Sequence, residues 1–131
     1  MKKYEYIENL INIKSFSLFE NKNIINYLVN EFSKCSKEII KIKNEKNDKY
    51  NLLIGVNTEL KNVSNAIVFA GHIDTVVADE NAYNTDPYCA TEIDGKIYGL
   101  GAIDMKSYFA CILSNIVRLK SCNRPHYCCN Y

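Results

Sequence analysis

The chain has 131 residues, 47% of them hydrophobic, which suits one globular domain or part of one. Its 16 basic and 15 acidic residues are intermixed and give a net charge of +1, which argues against nucleic acid or an anionic membrane as a partner. Glu5 and Glu8 interrupt the apolar stretch that a signal peptide needs, and no apolar run is long enough to span a bilayer. We therefore expect a cytoplasmic protein.

Two amphipathic helices are predicted near the start of the chain. The first covers about residues 4–13, where apolar side chains recur at helical spacing. Ser17 and Glu20 have the spacing of a capping box and predict a second helix that runs to about Cys35. The apolar face of this second helix is formed by Ile24, Ile25, Leu28, Val29 and Phe32.

Three strands are predicted next. Ile40 and Ile42 alternate with lysines, as in a half-exposed strand, and the polar residues 44–49 form the turn into a strand over residues 50–56. These two strands predict an antiparallel hairpin. The short apolar run at residues 66–70 is bounded by glycine and predicts a strand buried on both faces.

The last part of the chain combines a long loop with a helix. The polar segment from Ala78 to Ala90 predicts the loop, and Asp94-Gly95 predicts a tight turn in a small hairpin. A wide apolar stripe then predicts a helix that starts at Asp104 and ends near Lys120. The stripe consists of Met105, Tyr108, Phe109, Ile112, Leu113, Ile116 and Val117.

The cysteines predict thiols rather than a disulfide framework. In a cytosolic chain, six cysteines without a CxxC pair are typical of reduced and mostly buried side chains. A zinc site at His126 is disfavoured, because the spacing of the cysteines around it fits no known zinc knuckle and adjacent cysteines are awkward co-ligands. The six are Cys35, Cys89, Cys111, Cys122, Cys128 and Cys129.

One histidine and two aspartates are the candidate site residues. His72 and Asp74 follow the carboxyl end of a predicted strand, where α/β proteins bind ligands. Residues two apart on an extended backbone project to the same side, so Asp74 can accept one ring N–H of His72 while the other nitrogen binds a metal ion. Asp104, at a predicted helix N-terminus, suits a divalent cation. On pattern alone, a hydrogen-bonded loop histidine is the more frequent explanation.

A phosphate-binding loop is the other possible motif in this region. Gly99-Leu100-Gly101 is rich in glycine, but it lacks the third glycine and the Lys-Ser/Thr pair that such loops use. We therefore do not expect a phosphate site at these glycines.

Three segments taken together resemble one enzyme family: GHIDTV from Gly71, DPY from Asp86 and TEIDGKIYGLGAIDMK from Thr91. They resemble the zinc-dependent family of aminoacylases, carboxypeptidases and deacylases, a group of metallopeptidases that includes the succinyl-diaminopimelate desuccinylases. Within it they look most like the acetylornithine deacetylases, because Gly-Leu-Gly stands where desuccinylases usually have Gly-Arg-Gly. The resemblance implies an α/β fold, a three-layer mixed-sheet metallopeptidase-like catalytic domain. Residues 1–131 would be the N-terminal half of that domain.

The resemblance also implies a metal-dependent reaction. His72 would ligate one metal ion, Asp104 would bridge two, and Asp74 would be the catalytic residue that orients His72. The cofactor would be Zn²⁺ or Co²⁺, two ions per complete site, and the peptide after Asp104 would be cis. The partner would be a small-molecule N-acyl amino acid, with N-acetylornithine hydrolysed to ornithine and acetate in arginine biosynthesis. A desuccinylase or dipeptidase reaction is the alternative, and full-length relatives are expected to be homodimers.

Several parts that the family requires have no counterpart in this sequence. The resemblance calls for a general-base glutamate beside a ligand glutamate, a further carboxylate, a distant histidine and a lid or dimerisation domain. Glu80 and Glu92 lie in the long loop and do not replace the base, and residues 124–131 resemble the start of the strand that leads to the glutamate pair. A second hypothesis is therefore a truncated, non-catalytic remnant with weak or incomplete metal binding.

Overall fold

The computed structural model describes residues 4–46, 48–61, 64–120 and 126–130. It has the mixed α/β organisation that the sequence predicts. The helices are α1 (Glu5–Asn12), α2 (Lys22–Ser33) and α3 (Lys106–Lys120), and a short 3-10 turn spans Glu80–Ala82. The strands are β1 (Glu38–Lys43), β2 (Tyr50–Val56), β3 (Ala66–Ala70), β4 (Thr91–Ile93), β5 (Lys96–Tyr98) and β6 (His126–Asn130).

Four of the strands form a mixed sheet in the order β1-β2-β6-β3. β1 and β2 are the predicted antiparallel hairpin, with Glu38 opposite Gly55 and Lys43 opposite Tyr50. β6 lies between β2 and β3, antiparallel to the first and parallel to the second. The strand expected in residues 124–131 is thus confirmed over the part that the structure describes, and it joins the hairpin to the strand that leads into the candidate site.

The core is one cluster formed by the three helices and β2. Apolar side chains at alternate positions of β2 face the helices, because successive side chains of a strand point to opposite sides. Helical periodicity in α2 and α3 supplies the opposing surface. In the described part of the chain, no helix is long and apolar enough to cross a membrane. The largest fully buried members of the cluster are Phe32, Phe109, Leu10, Ile24, Ile25, Leu28, Leu52, Ile54 and Leu113.

β3 is less buried than its sequence predicts. Phe69 packs against the core cluster, but Val68, which points to the opposite face, is 58% exposed and Ile67 is 48% exposed. The prediction of a strand buried on both faces is wrong for the described residues, because the described elements leave the face that carries Val68 open. An apolar run specifies a strand but does not specify which elements cover it.

The predicted capping box at the start of α2 is also wrong. The helix begins at Lys22, with Asn21 at the N-cap and no side-chain capping bond. The Ser17 hydroxyl instead donates to the carbonyl oxygen of Thr75, 3.0 Å away. The amide side chain of Asn21 pairs with both backbone groups of Tyr50, accepting from its N–H and donating to its carbonyl, each at 2.9 Å. Tertiary contacts therefore outweigh the local capping pattern.

Asn21→Ala is expected to lower the free energy of unfolding by about 1–2 kcal/mol. The substitution leaves two partly buried backbone groups of Tyr50 without these bonds. Asn30→Ala is the matched control, because the Asn30 amide makes an exposed contact with Glu31 and its loss should change stability by less than about 0.5 kcal/mol. Urea denaturation of both variants measures the difference. Equal stability of the two variants would contradict the proposed link between α2 and β2.

The structure describes the side chains of three cysteines as thiols, and two of the three are not buried. Cys35 is buried in the core, as predicted, whereas Cys89 and Cys111 are exposed and free. The prediction of mostly buried thiols is therefore wrong among these three, since Cys111 lies on the outer face of a helix and Cys89 in the long loop. Cys122, which was considered together with His126, lies outside the described residues.

Candidate metal centre

The loop after β3 presents alternate side chains to opposite sides. Ile73 and Thr75 are 6% and 7% exposed and point into the protein, whereas the side chains of His72 and Asp74 are 51% and 47% exposed. This is the alternation of an extended backbone, which the sequence predicted for these residues. The histidine and the first aspartate therefore share the open side of the loop.

The His72 ring has an oxygen atom facing each of its nitrogens. Its Nδ1 lies 3.1 Å from the backbone carbonyl of Asp74 and 3.4 Å from the Asp74 carboxylate. Its Nε2 lies 3.1 Å from Oδ1 of Asp104. The structure thus brings the three candidate residues together, although the nearer acceptor for Nδ1 is the Asp74 carbonyl rather than its side chain.

Asp104 reaches this position from a turn. α3 begins at Lys106, two residues after the predicted start, and the Lys106 amide donates to the carbonyl of Gly101 at 2.8 Å. Asp104 therefore lies before the helix rather than in its first turn, with a side chain that is 80% exposed. The Asp104–Met105 peptide is cis, as the family resemblance implied.

The contacts of the ring leave room for a cation beside one of its nitrogens. The oxygens that face Nδ1 and Nε2 can only accept, and a neutral imidazole has a single N–H, so one nitrogen must face an acceptor with its lone pair. With the proton on Nδ1, the lone pair of Nε2 faces an oxygen of Asp104 at 3.1 Å. Two acceptors at this distance repel each other unless a proton or a metal ion lies with them.

The spacing of these two donors fits a metal ion. With zinc–ligand distances of about 2.0–2.1 Å in a tetrahedral site, two ligand atoms lie roughly 3.3 Å apart. The observed separation of 3.1 Å between His72 Nε2 and Asp104 Oδ1 is close to that value. Imidazole nitrogen and carboxylate oxygen are also donor types that Zn²⁺ accepts. In the part of the chain that the structure describes, no group of three or more His, Cys, Asp or Glu residues could hold a metal ion.

A cleft of about 890 Å³ opens in front of His72 and Asp104. The volume falls within the range of about 300–1,000 Å³ that is typical of small-molecule sites. Its wall combines the candidate ligands with the β4–β5 hairpin and the loop at residues 82–85. Lys96 is the basic side chain of the lining, and Glu80 and Glu92 do not belong to it. The aromatic lining residues are Tyr83 and Tyr98.

Two glycines allow the segment before Asp104 to pack tightly. Both have positive φ angles, +153° at Gly99 and +79° at Gly101. A Cβ atom on Gly99 would lie 2.5 Å from Cγ2 of Ile11, and one on Gly101 would lie 3.0 Å from Cγ2 of Thr75. These glycines therefore serve close packing against α1 and the His72 loop.

Lys106 is a buried lysine two residues after Asp104, and the sequence patterns did not indicate that it would be buried. It is 2% exposed, and its Nζ donates to the carbonyl of Ile13 at 2.8 Å. Removal from water disfavours the charged form, so burial lowers the pKa of Lys106 to about 8. A lysine inside an otherwise apolar helical stripe was the available signal.

The burial of Lys106 predicts a pH-dependent stability. Between about pH 8, the folded pKa, and pH 10.5, the ordinary value, the unfolded chain binds more protons at this residue, so stability rises with pH. The expected gain is about 1–3 kcal/mol. Lys106→Met keeps the apolar stem and should remove the rise. Urea denaturation across this pH range measures it, and an equal rise in both proteins would contradict the assignment.

Comparison with known proteins agrees with the geometry. Residues 68–127, which include His72, Asp74 and Asp104, match the model of Peptidase family M20/M25/M40. The chain is related to this peptidase family. The match begins in β3 and ends at the second residue of β6, so it covers the loops that carry the candidate ligands.

Curated M20 relatives extend the similarity to most of the chain. The acetylornithine deacetylase of Buchnera aphidicola subsp. Acyrthosiphon pisum (strain Tuc7) is 39% identical over 109 residues, which are 82% of this chain and 28% of that protein. The acetylornithine deacetylase of Aliivibrio fischeri (strain MJ11) is 35% identical over 133 residues, covering 94% and 33%. The chain thus spans about a third or less of the length of these relatives.

Solved structures show the same fold. A metallo-carboxypeptidase of the M20 family from Sulfolobus solfataricus superposes with a TM-score of 0.79 at 20% identity, covering 100% of this chain and 30% of that one. Human carnosine dipeptidase 1 superposes with a TM-score of 0.77 at 17% identity, covering 96% and 30%. The arrangement of helices and strands around the candidate ligands is therefore that of M20 catalytic domains.

Proposed function

We propose that this chain contributes the His72–Asp104 side of a metal-dependent amidohydrolase site that acts on N-acyl amino acids. The observation that carries the proposal is the pair of donors, His72 Nε2 and Asp104 Oδ1, which lie 3.1 Å apart at the edge of a substrate-sized cleft. We assign the role of metal ligand to both, and to Asp74 the role of holding the ring proton on Nδ1. Zn²⁺ or Co²⁺ is the proposed cofactor.

The chain's own residues prepare the site for amide hydrolysis. When bound, the ion would supply a Lewis acid for the acyl carbonyl and lower the pKa of a water molecule. The oxygens of Asp74 face Nδ1 and would hold the ring proton there, so that the lone pair of Nε2 is available to the ion. Lys96 carries the positive charge of the cleft wall and suits the carboxylate of an amino-acid substrate.

The similarity to acetylornithine deacetylases makes N-acetylornithine the first substrate to test, with release of ornithine and acetate in arginine biosynthesis. A dipeptidase or desuccinylase reaction is the alternative, since human carnosine dipeptidase 1 shares the fold. The purified chain with Zn²⁺ or Co²⁺ should therefore be offered N-acetylornithine, an N-succinyl diamino acid and a dipeptide in parallel.

Metal binding without turnover is a second candidate function. It is favoured because the described residues provide two donors rather than a group of three or more. Hydrolysis of N-acetylornithine that disappears in His72→Ala would support the amidohydrolase. Metal binding without hydrolysis would support the second candidate, and the absence of both would overturn the assignment of His72 and Asp104.

A further inference from the structure

Residues 76–85 form a strap along one side of the cleft. The strap starts directly after Thr75, at the end of the loop that carries His72, and it stops before the DPY motif that begins at Asp86. Its first residue, Val76, and its last four, residues 82–85, belong to the cleft lining. One wall of the cleft is therefore a segment that begins at the candidate metal centre.

The first end of the strap is fixed to the connector between α1 and α2, residues 13–20. Thr75 N–H donates to the carbonyl of Ser15 at 2.8 Å, and Ser17 N–H donates to the carbonyl of Thr75 at 2.9 Å. Phe16 and Thr75 form an isolated parallel bridge. The start of the strap is thus held beside the connector by backbone bonds on both sides of the bridge.

The DPY motif fixes the far end of the strap to the same connector. The ring of Tyr88 packs edge-on against Phe16, with 5.4 Å between the ring centroids, and Nζ of Lys14 lies 4.2 Å from the Tyr88 centroid. The carbonyl of Pro87 accepts from Leu100 N–H at 2.6 Å, which joins the motif to the segment before Asp104. Both ends of the strap are therefore held at set positions relative to the cleft.

Between these two ends, the hydrogen bonds of the strap are local. The Asp79 carboxylate accepts from Asn81 N–H at 3.1 Å, and Tyr83 N–H donates to the carbonyl of Glu80 at 3.3 Å. Within the described part of the chain, no hydrogen bond joins residues 76–85 to another segment. Tyr83 directly follows this turn, lines the cleft and is 39% exposed, so its ring is accessible to a ligand.

The charges of the cleft leave an aromatic ring as the partner for a cationic group. The carboxylates of the described lining are those of Asp74 and Asp104, which face the His72 ring. The faces of Tyr83 and Tyr98 remain, and the face of a tyrosine ring attracts a cation.

Tyr83 suits this role better than Tyr98. Tyr98 and Lys96 are two residues apart on β5, so their side chains project to the same side of the strand. A cation at the Tyr98 ring would therefore meet the positive charge of Lys96. Tyr83 is presented by a different element, the strap, at the same cleft.

We propose that Tyr83 is a specificity-determining residue of the cleft: its ring contacts the side chain of the substrate and favours N-acyl amino acids whose side chain ends in an ammonium group. This role rests on the proposed function, in which the acyl group lies at His72 and Asp104 and the substrate carboxylate at Lys96. The strap keeps the ring beside the cleft because both of its ends are fixed to the connector.

Tryptophan fluorescence gives the first test, because the chain has no tryptophan and a single one reports its own surroundings. In Tyr83→Trp, N-acetylornithine should shift the emission to shorter wavelength as the ligand covers the indole. Ile42→Trp is the matched control, because Ile42 is 44% exposed, close to the 39% of Tyr83, and lies on β1 outside the cleft lining. Its emission should stay unchanged.

The second test compares N-acetylornithine with N-acetylnorvaline, which has the same carbon chain without the terminal ammonium. Ligand-observed NMR titrations of the metal-free chain give both Kd values without hydrolysis. Wild type and Tyr83→Phe, which keeps the ring, should bind N-acetylornithine about two- to fivefold more tightly, as expected for one exposed cation–π contact. In Tyr83→Leu the two Kd values should agree within about 1.5-fold. Tyr98→Leu should keep the preference.

Three results would overturn the role of Tyr83: no preference in the wild type, a wild-type preference in Tyr83→Leu, or the same loss in Tyr98→Leu. An equal emission shift in Tyr83→Trp and Ile42→Trp would also overturn it. Co²⁺ binding and hydrolysis together with any of these results would leave the proposed function standing. A preference that is lost only in Tyr83→Leu, in a chain that binds no Co²⁺, would sustain the role of Tyr83 and overturn the proposed function.

Discussion

His72→Ala is expected to weaken Co²⁺ or Zn²⁺ binding more than about 100-fold. Loss of an outer-shell partner alone costs about 10–100-fold, and removal of one of two donors should cost more. Asp104→Ala removes the other donor, Oδ1 at 3.1 Å from the ring, and should have an effect of similar size. Calorimetric titration of the folded proteins with each metal ion measures the affinities.

Glu92→Gln is the matched control for this prediction. It removes a carboxylate from the neighbouring strand β4, at an exposed position outside the cleft lining. Its metal affinity should remain within about twofold of wild type, because exposed charges at a distance are screened by salt. Equal losses in Glu92→Gln and Asp104→Ala would mean that the ion binds to general surface charge rather than to the proposed pair.

Phe109→Ala is expected to lower the free energy of unfolding by about 3–5 kcal/mol. The ring is fully buried in α3, and truncation of such a side chain removes apolar contact and leaves a cavity. A Cβ atom on Gly71 would lie 2.9 Å from Cζ of Phe109, so the ring packs directly beneath the residue before His72. A loss of this size is a large share of the stability of a small domain.

Phe109→Leu and Ile93→Ala calibrate that effect. Phe109→Leu keeps most of the apolar contact and should cost less than Phe109→Ala. Ile93 is 43% exposed on β4, so Ile93→Ala should cost less than about 1 kcal/mol. Urea denaturation of the set gives the ranking. A cost below about 1 kcal/mol for Phe109→Ala would show that α3 does not pack on this core.

Local patterns in the sequence were sufficient to predict much of the fold. Alternating residues predicted the β1–β2 hairpin, and Asp94-Gly95 predicted the turn between β4 and β5. The two-residue spacing of His72 and Asp74 predicted their shared side of the loop. Each of these features depends on backbone geometry within a few residues, which is where sequence periodicity carries information.

The remaining features depend on contacts between distant parts of the chain. The hydroxyl of Ser17 matches a capping box, yet it bonds to Thr75, 58 residues away. The bond from Lys106 to Ile13 spans 93 residues and leaves no local pattern. The exposure of Val68 likewise depends on which elements cover β3. Local propensity is a weak prior wherever tertiary contacts compete with it.

A single titration tests the assignment of His72 as a metal ligand most directly. Zn²⁺ should be added to the chain while the imidazole ¹⁵N resonances of His72 are followed. We predict that the Nε2 resonance shifts as the ion binds and that the ring proton of the bound state is on Nδ1, where the carbonyl of Asp74 lies 3.1 Å away. Zn²⁺ binding that leaves Nε2 unchanged, or that perturbs Nδ1 instead, would contradict it.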